Sequence, residues 1–107
     1  MPSLQTTVAY QTKSATVTNA VKPISHADFG FTAGELAAAD RAYVSARTAG
    51  IMISWSTVDP SATVGHLIAQ NAILEVQGNV NVQNLEFFRE AGADATVTIT
   101  LEKYPGV

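Results

Sequence analysis

The segment that decides the fold is residues 50–68, which read Gly-Ile-Met-Ile-Ser-Trp-Ser-Thr-Val-Asp-Pro-Ser-Ala-Thr-Val-Gly-His-Leu-Ile. Its first part alternates Ile51, Ile53 and Trp55 with methionine and serines, which is the period of a half-buried strand. Asp59-Pro60 then interrupts strand pairing, and Gly65 allows the chain to reverse direction. We therefore interpret the segment as a strand, a long turn and a return strand, for which the rest of the chain supplies partners.

Four residues are predicted to fix this long turn: Asp59, Pro60, Gly65 and His66. We expect the Asp59 side chain to accept a hydrogen bond from its own backbone. We expect His66 to hydrogen-bond backbone carbonyls. The alternative is a metal or acid–base site in which His66 or His26 works with a nearby carboxylate, but no third ligand has the spacing of a zinc site.

Composition indicates one domain that packs against other molecules. The chain has 107 residues, of which 47% are hydrophobic and 14% are charged, against about 25% charged in a typical soluble domain. So little charge suggests that part of the surface is covered in an assembly. The absence of cysteine excludes disulfides and thiolate metal sites. Small all-β domains without such cross-links often gain stability by forming oligomers, so we expect a homo-oligomer.

Charge and hydropathy argue against two classes of partner. The formal net charge is −3 and the six Lys and Arg residues are scattered, so binding to nucleic acid is not expected. No apolar run approaches the roughly 20 residues of a membrane span, so no membrane association is expected. The N-terminal residues do not resemble a signal peptide, and we expect synthesis in a cytoplasm.

The N-terminal third contains two predicted strands and one ambiguous segment. Residues 4–10 and 14–18 are rich in Thr and Val and predict short strands, with residues 11–13 turning between them. The first 18 residues are interpreted as edge strands or as an extended arm. Residues 28–39 contain a possible capping box, Thr32 with Glu35, and predict one helical turn or a compact loop.

From residue 41 onward the strand signal is regular. Strands are predicted at residues 41–47, 72–77, 85–89 and 96–102. Thr48-Ala49-Gly50 is interpreted as a hairpin turn into the Ile51 strand, and residues 85–101 as a second hairpin.

The predicted fold class is all-β. We expect a single domain over residues 1–107, an antiparallel β-sandwich or small barrel of about seven or eight short strands, with at most one short helical turn. The predicted core residues are Val44, Ile51, Ile53, Trp55, Leu67, Leu74, Val76, Leu85, Phe87, Val97, Ile99 and Leu101.

The sequence predicts docking surfaces and no catalytic site. The Gly-x-Ser-x-Gly motif of a serine nucleophile is absent and the nine acidic residues are dispersed, so we expect neither an enzyme nor a cofactor. Phe87 and Phe88 are adjacent in a strand and must point to opposite faces. Phe88 is therefore a candidate interface residue, unless a loop covers it. The other interface candidates are Tyr43, Tyr10 and Val8.

The segment from about Ala38 to Glu102 resembles a group of small bacteriophage virion proteins. The resemblance depends on Ala39-Asp40-Arg41-Ala42, a strand ending in Trp55, Asp59-Pro60-Ser61-Ala62-Thr63, Gly65-His66-Leu67 and the stretch from Asp94 to Leu101. Members of that group read approximately Trp-Asp-Gly-Thr-Asp-Pro-Thr in the turn, where this chain has Trp-Ser-Thr-Val-Asp-Pro-Ser.

The resemblance implies a structural role in a phage particle. Its most specific form is a cement or decoration protein on the capsid surface that binds across neighbouring subunits of the major capsid protein as a homo-oligomer. A head-to-tail or tail component is the alternative within this class. A carbohydrate-binding attachment module, with Trp55 or Tyr43 exposed, is the alternative from another class.

Overall fold

A computed structural model describes residues 7–56, 58–90 and 92–105. Over these residues the chain forms eight strands and two short helices. In chain order they are β1 (Val8–Val17), β2 (Lys22–Pro23), α1 (Ala33–Ala38), β3 (Arg41–Arg47), β4 (Ile51–Ser54), β5 (His66–Ile68), β6 (Ile73–Gln77), α2 (Asn79–Gln83), β7 (Glu86–Arg89) and β8 (Ala95–Lys103).

The strands form two antiparallel sheets of four strands each. One sheet, here called the long sheet, has the strand order β1-β8-β3-β6, and the other, the short sheet, has the order β2-β7-β4-β5. Every neighbouring pair of strands is antiparallel. The predicted all-β sandwich of about seven or eight strands is thus confirmed.

The core contains apolar side chains from both sheets. Val44 and Ile99 of the long sheet and Ile51, Ile53 and Phe87 of the short sheet are fully buried. Nine of the predicted core residues are buried: Val44, Ile51, Ile53, Val76, Leu85, Phe87, Val97, Ile99 and Leu101. The core also takes in apolar residues outside the long strands, among them Ile24, Phe29, Phe31, Leu36 and Val82.

Three predicted core residues are not buried. Leu67 is 56% exposed because it pairs with Met52 rather than with an inward-facing isoleucine, so its side chain lies on the outer face. Trp55 and Leu74 are half-buried and pack against the core from its margin. Trp55 follows the last residue of β4, and Leu74 lies in β6, the edge strand of the long sheet.

Both predicted hairpins outside the 50–68 segment are wrong. β3 belongs to the long sheet and β4 to the short sheet, so residues 48–50 connect two layers. β7 and β8 are likewise in different sheets. The physical reason is that alternation of apolar and polar residues identifies the buried face of a strand, while both sheets bury their faces in the same core.

The first strand is longer than predicted. β1 is one ten-residue strand at the edge of the long sheet, and the predicted turn at residues 11–13 is wrong. Residues 11–13 pair with Leu101, Thr100 and Ile99 of β8, and the irregularity is a bulge between Ala9 and Gln11. Residues 8–17 are therefore an edge strand. The N-terminal part of the predicted strand and arm, residues 1–6, lies outside the described residues.

The two short helices, α1 between β2 and β3 and α2 between β6 and β7 in the chain, contact each other. α1 begins at Thr32, whose hydroxyl accepts from the backbone N–H of Glu35 at 3.1 Å while the Glu35 carboxylate accepts from the Thr32 N–H at 2.9 Å. The predicted capping box and helical turn are confirmed. α2 was not predicted, so the expectation of at most one helical turn is wrong. The Asn79 amide of α2 donates to the carbonyls of Leu36, Ala37 and Ala39, which holds the two helices together.

Candidate functional site

The predicted strand, turn and return form a hairpin at one edge of the short sheet. Ile51 pairs with Ile68, Met52 with Leu67 and Ile53 with His66. Gly65 has φ +123°, and a Cβ atom there would lie 3.0 Å from the backbone oxygen of Ile53. Position 65 therefore requires glycine both for its backbone conformation and for its close approach to β4.

Serine side chains supply hydrogen bonds within the loop between β4 and β5. The Ser54 hydroxyl donates to the carbonyl of Val58 at 2.9 Å. The Ser61 hydroxyl accepts from the N–H of Val64 at 3.1 Å, and the Ser61 N–H donates to the Val64 carbonyl at 2.9 Å. Sequence reasoning gave this role to Asp59. The missed signal was the repeated serine, whose hydroxyl bonds to nearby backbone groups in turns.

The carboxyl group of Asp59 lies instead beside Glu86 of β7. Burial raises the pKa of Glu86, and the negative charge of Asp59 and a hydrogen bond with its side chain raise it further. Glu86 pairs with Ser54 in the sheet, so the two carboxyl groups join the loop to the strand beneath it. Pro60, the next residue of the turn, is buried.

The rings of Trp55 and His66 stack beside the loop. Their centroids are 4.8 Å apart and their planes are inclined by 15°. The sequence predicted that His66 would lie in the turn and bond to backbone carbonyls, but His66 lies in β5, where its ring is exposed and stacked on the indole. The two rings line an open depression of about 280 Å³ together with Ser54, Ser56, Val58, Val64 and Gly65.

Apolar side chains are concentrated on the outside of this hairpin. Val58 is 57% exposed, Val64 is 44% exposed and Leu67 is 56% exposed. We call the set Trp55, Val58, Val64, His66 and Leu67 the hairpin surface. It has two sides, because His66 and Leu67 are adjacent in β5 and point to opposite faces of the strand: Trp55, Val58, Val64 and His66 line the depression, and Leu67 lies on the outer face of the short sheet. The hairpin surface contains no Asp, Glu, Lys or Arg residue.

Phe88, the first interface candidate, lies next to the hairpin surface. Met52 pairs with Leu67 on one side and with Phe88 on the other, so the three side chains form one row on the outer face of the short sheet. Met52 is buried, Phe88 is half-buried and Leu67 is exposed. The row therefore extends the apolar outer face that carries Leu67 across three strands.

The other interface candidates lie on the long sheet and do not join this surface. Tyr43 is half-buried between Thr100 and Glu75 on the outer face. Val8 is 52% exposed at the start of β1.

Tyr10 has internal partners. Its hydroxyl donates to the backbone carbonyl of Glu35 in α1, and the Lys103 ammonium lies 4.8 Å from the centre of its ring. Burial, followed by the charges of Glu35 and Asp40, raises the pKa of Tyr10. Tyr10 therefore connects β1 to α1 through its hydroxyl, and its side chain is half-buried.

The second histidine belongs to a local structural cluster. The Nδ1 atom of His26 accepts from the backbone N–H of Asp28 at 3.0 Å. The buried Lys22 ammonium donates to the Asp28 carboxylate at 2.6 Å and to the Thr16 carbonyl at 2.5 Å. The hydrogen bond from Lys22 is the main cause that lowers the pKa of Asp28. Among the described residues, no group of three or more His, Asp or Glu side chains is placed to hold a metal ion.

Two further results bear on the class of protein. Within residues 7–56, 58–90 and 92–105, neither helix has the length and apolar character needed to cross a membrane. Comparison of the chain with protein-family models, characterised proteins and solved structures finds no significant match.

Proposed function

We propose that this protein is a structural component of a bacteriophage particle, a cement or decoration protein that binds across neighbouring major-capsid subunits. The sequence resemblance supports this assignment, because three of its landmarks fall in the β4–β5 hairpin: Trp55, the Asp59-Pro60 turn and Gly65-His66-Leu67. The surface on which the proposal rests is the hairpin surface.

The observation that carries the proposal is the exposure of Val58, Val64 and Leu67 in one hairpin. Clustered exposed apolar side chains mark sites of protein–protein interaction. The centre of such an interface is depleted in charged residues and enriched in aromatic ones. The hairpin surface has this composition, with Trp55 and His66 at its depression on one side and Leu67 near Phe88 on the other.

The mechanism follows from mass action. A protein that binds only the assembled shell lowers the free energy of that shell relative to its dissociated subunits. Binding across two capsid subunits joins them without any chemical step. The protein then acts from the capsid surface, and its homo-oligomer presents several hairpin surfaces to the shell at once, which strengthens attachment through effective concentration.

The two alternatives differ in what they require of the hairpin. A head-to-tail or tail component would use the same apolar surface against a different partner. Its location and copy number in the particle distinguish it from a cement protein. A carbohydrate-binding module would need an open aromatic face for stacking on a sugar. His66 covers one face of the Trp55 ring at 4.8 Å, which favours the protein-docking proposal.

The test measures binding of the purified protein to shells of the phage that encodes it. Leu67→Asp and Val64→Asp place a charge on exposed positions of the hairpin surface, and Val8→Asp is the matched control on the long sheet. We expect each hairpin variant to bind shells at least about tenfold more weakly than wild type in a cosedimentation titration. Unchanged binding by both hairpin variants, or no binding by wild type, overturns the proposal.

A further inference from the structure

Within the part of the chain that the structure describes, the two sheets have four unpaired edge strands, and three of them carry features that oppose pairing with another chain. β2 is two residues long and contains Pro23, and β5 is three residues long. β1 is long, but it has a bulge near its start, and Lys13 pairs with the fully buried Ile99 and so lies on the core-facing side. Short length, proline, bulges and inward-facing charges are the known means by which proteins protect sheet edges.

The edge of β6 has none of these features. Its five residues pair with β3 in an unbroken register from Ser45↔Ile73 to Arg41↔Gln77, and no other strand of the described chain pairs with it. Ile73 is 70% exposed, and Val80, in the helix that follows, is 71% exposed. These are the two highest exposures among the large apolar side chains of the described residues.

We infer that β6 is the surface through which a second copy of this chain associates, by antiparallel pairing of β6 with β6. Such a two-fold contact joins the two long sheets into one continuous sheet of eight strands. With the axis at Glu75, Ile73 of one copy lies opposite Gln77 of the partner subunit, close to the start of the partner's α2 and its Val80. The contact is self-complementary, because each copy supplies both apolar groups.

Charge and core packing are compatible with this pairing. Glu75 is the one charged residue of β6, and the Arg41 guanidinium holds its carboxylate at 3.1 Å. Two copies therefore meet with each carboxylate already paired. On the core-facing side, Ala72 and Leu74 are half-buried at the margin of the core, and β6 is the last strand of the long sheet among the described residues, so a second β6 would lie next to them.

The size of the contact predicts its strength. A standard stable interface buries about 800 Å² on each partner. A five-residue strand, one isoleucine and one helix side chain give a smaller contact, so the dimer should dissociate on dilution.

This inference rests on the oligomeric part of the proposed function and is tested without any capsid, so its failure is distinguishable from failure of shell binding. Sedimentation velocity of the full chain is recorded over a wide concentration range. Wild type should shift from monomer to dimer as concentration rises. Ile73→Lys and Val80→Lys, both at exposed positions, should remain monomeric at the highest concentration, while Val8→Lys at the β1 edge should dimerise like wild type.

Hydrogen exchange identifies the strand involved. The amides of residues 73–77 should become more protected at high concentration in wild type and remain unchanged in Ile73→Lys. The inference is overturned if wild type is monomeric throughout, if both lysine variants dimerise normally, or if Val8→Lys is the variant that loses the dimer. In that last case the β1 edge is the contact.

Discussion

The indole of Trp55 and the imidazole of His66 stack with their centroids 4.8 Å apart, and this contact joins the two strands of the hairpin at the base of its loop. Trp55 follows β4, and His66 begins β5. Beside this stack, the backbone of Gly65 lies so close to that of Ile53 that a Cβ atom would be 3.0 Å from the Ile53 oxygen. The loop that carries the exposed valines is therefore held at its base by one ring contact and one backbone contact.

His66→Ala should uncover one face of the only tryptophan in the chain. We expect a red-shifted emission maximum, stronger quenching by acrylamide and a loss of about 1 kcal/mol of stability, the typical value of an aromatic pair. His26→Ala is the control, since His26 contacts Asp28 in a different part of the fold. Identical quenching in His66→Ala and wild type would show that the stack does not shield the indole in solution.

Gly65→Ala should destabilise the fold by at least about 2 kcal/mol, because it combines a strained positive φ with a Cβ atom 3.0 Å from the Ile53 oxygen. Gly92→Ala is the matched control, as a Cβ there meets nothing within 4 Å. Urea unfolding measures both. A Gly65→Ala variant as stable as Gly92→Ala would contradict the close contact between the loop and β4.

Asn79→Ala should cost about 1–2 kcal/mol, because its amide donates to three carbonyls at the end of α1 that would lose these bonds. Asn81→Ala in the same helix removes one bond, to the Gln77 carbonyl, and should cost less. Thermal unfolding of the two variants compares them directly. Equal loss of stability in the two variants would mean that the bonds from Asn79 to α1 contribute no more than the single bond of Asn81.

Glu86→Gln should stabilise the protein at neutral pH and have little effect in acid. The folded state raises the pKa of Glu86 through burial and Asp59, so it binds a proton more tightly than the unfolded state. The free energy of unfolding therefore falls as pH rises from the unfolded pKa of Glu86 through its higher folded pKa. Glutamine does not ionise, so the variant does not lose this stability.

Urea titrations of wild type and Glu86→Gln at several pH values check this sign. The exposed Glu90→Gln is the control for the loss of one surface carboxylate. A Glu86→Gln variant that is less stable than wild type at neutral pH would show that the carboxylate is held by favourable contacts instead.

The sequence was sufficient to predict most of the strands but not the continuity of β1, the short strand β2 or the assignment of strands to sheets. The alternation of Ala42, Val44 and Ala46 identifies the buried face of β3, and the Asp59-Pro60 turn separates β4 from its true partner β5. Whether a short connection turns back within a sheet or crosses to the other sheet depends on packing of the whole core. Residues 48–50 cross, although their composition is that of a hairpin turn.

Helix α2 and the contact between Asp59 and Glu86 could not be predicted from local sequence, because each depends on residues that are distant along the chain. Asn79-Val80-Asn81-Val82 alternates like a strand, yet it is helical because Gly78 takes φ +95° and Asn79 bonds to α1, some 40 residues earlier. The proximity of Asp59 to Glu86 likewise arises only when β4 and β7 pair. Phe88 on an outer face was predictable, because adjacent strand residues point to opposite sides.

Whether the chain is a component of the shell is decided by its copy number in purified particles. Quantitative mass spectrometry against the major capsid protein gives that ratio. For a cement or decoration protein we expect a copy number that scales with the number of major-capsid subunits. A number no larger than a single ring at the neck or tail, or absence from the particle, would contradict it.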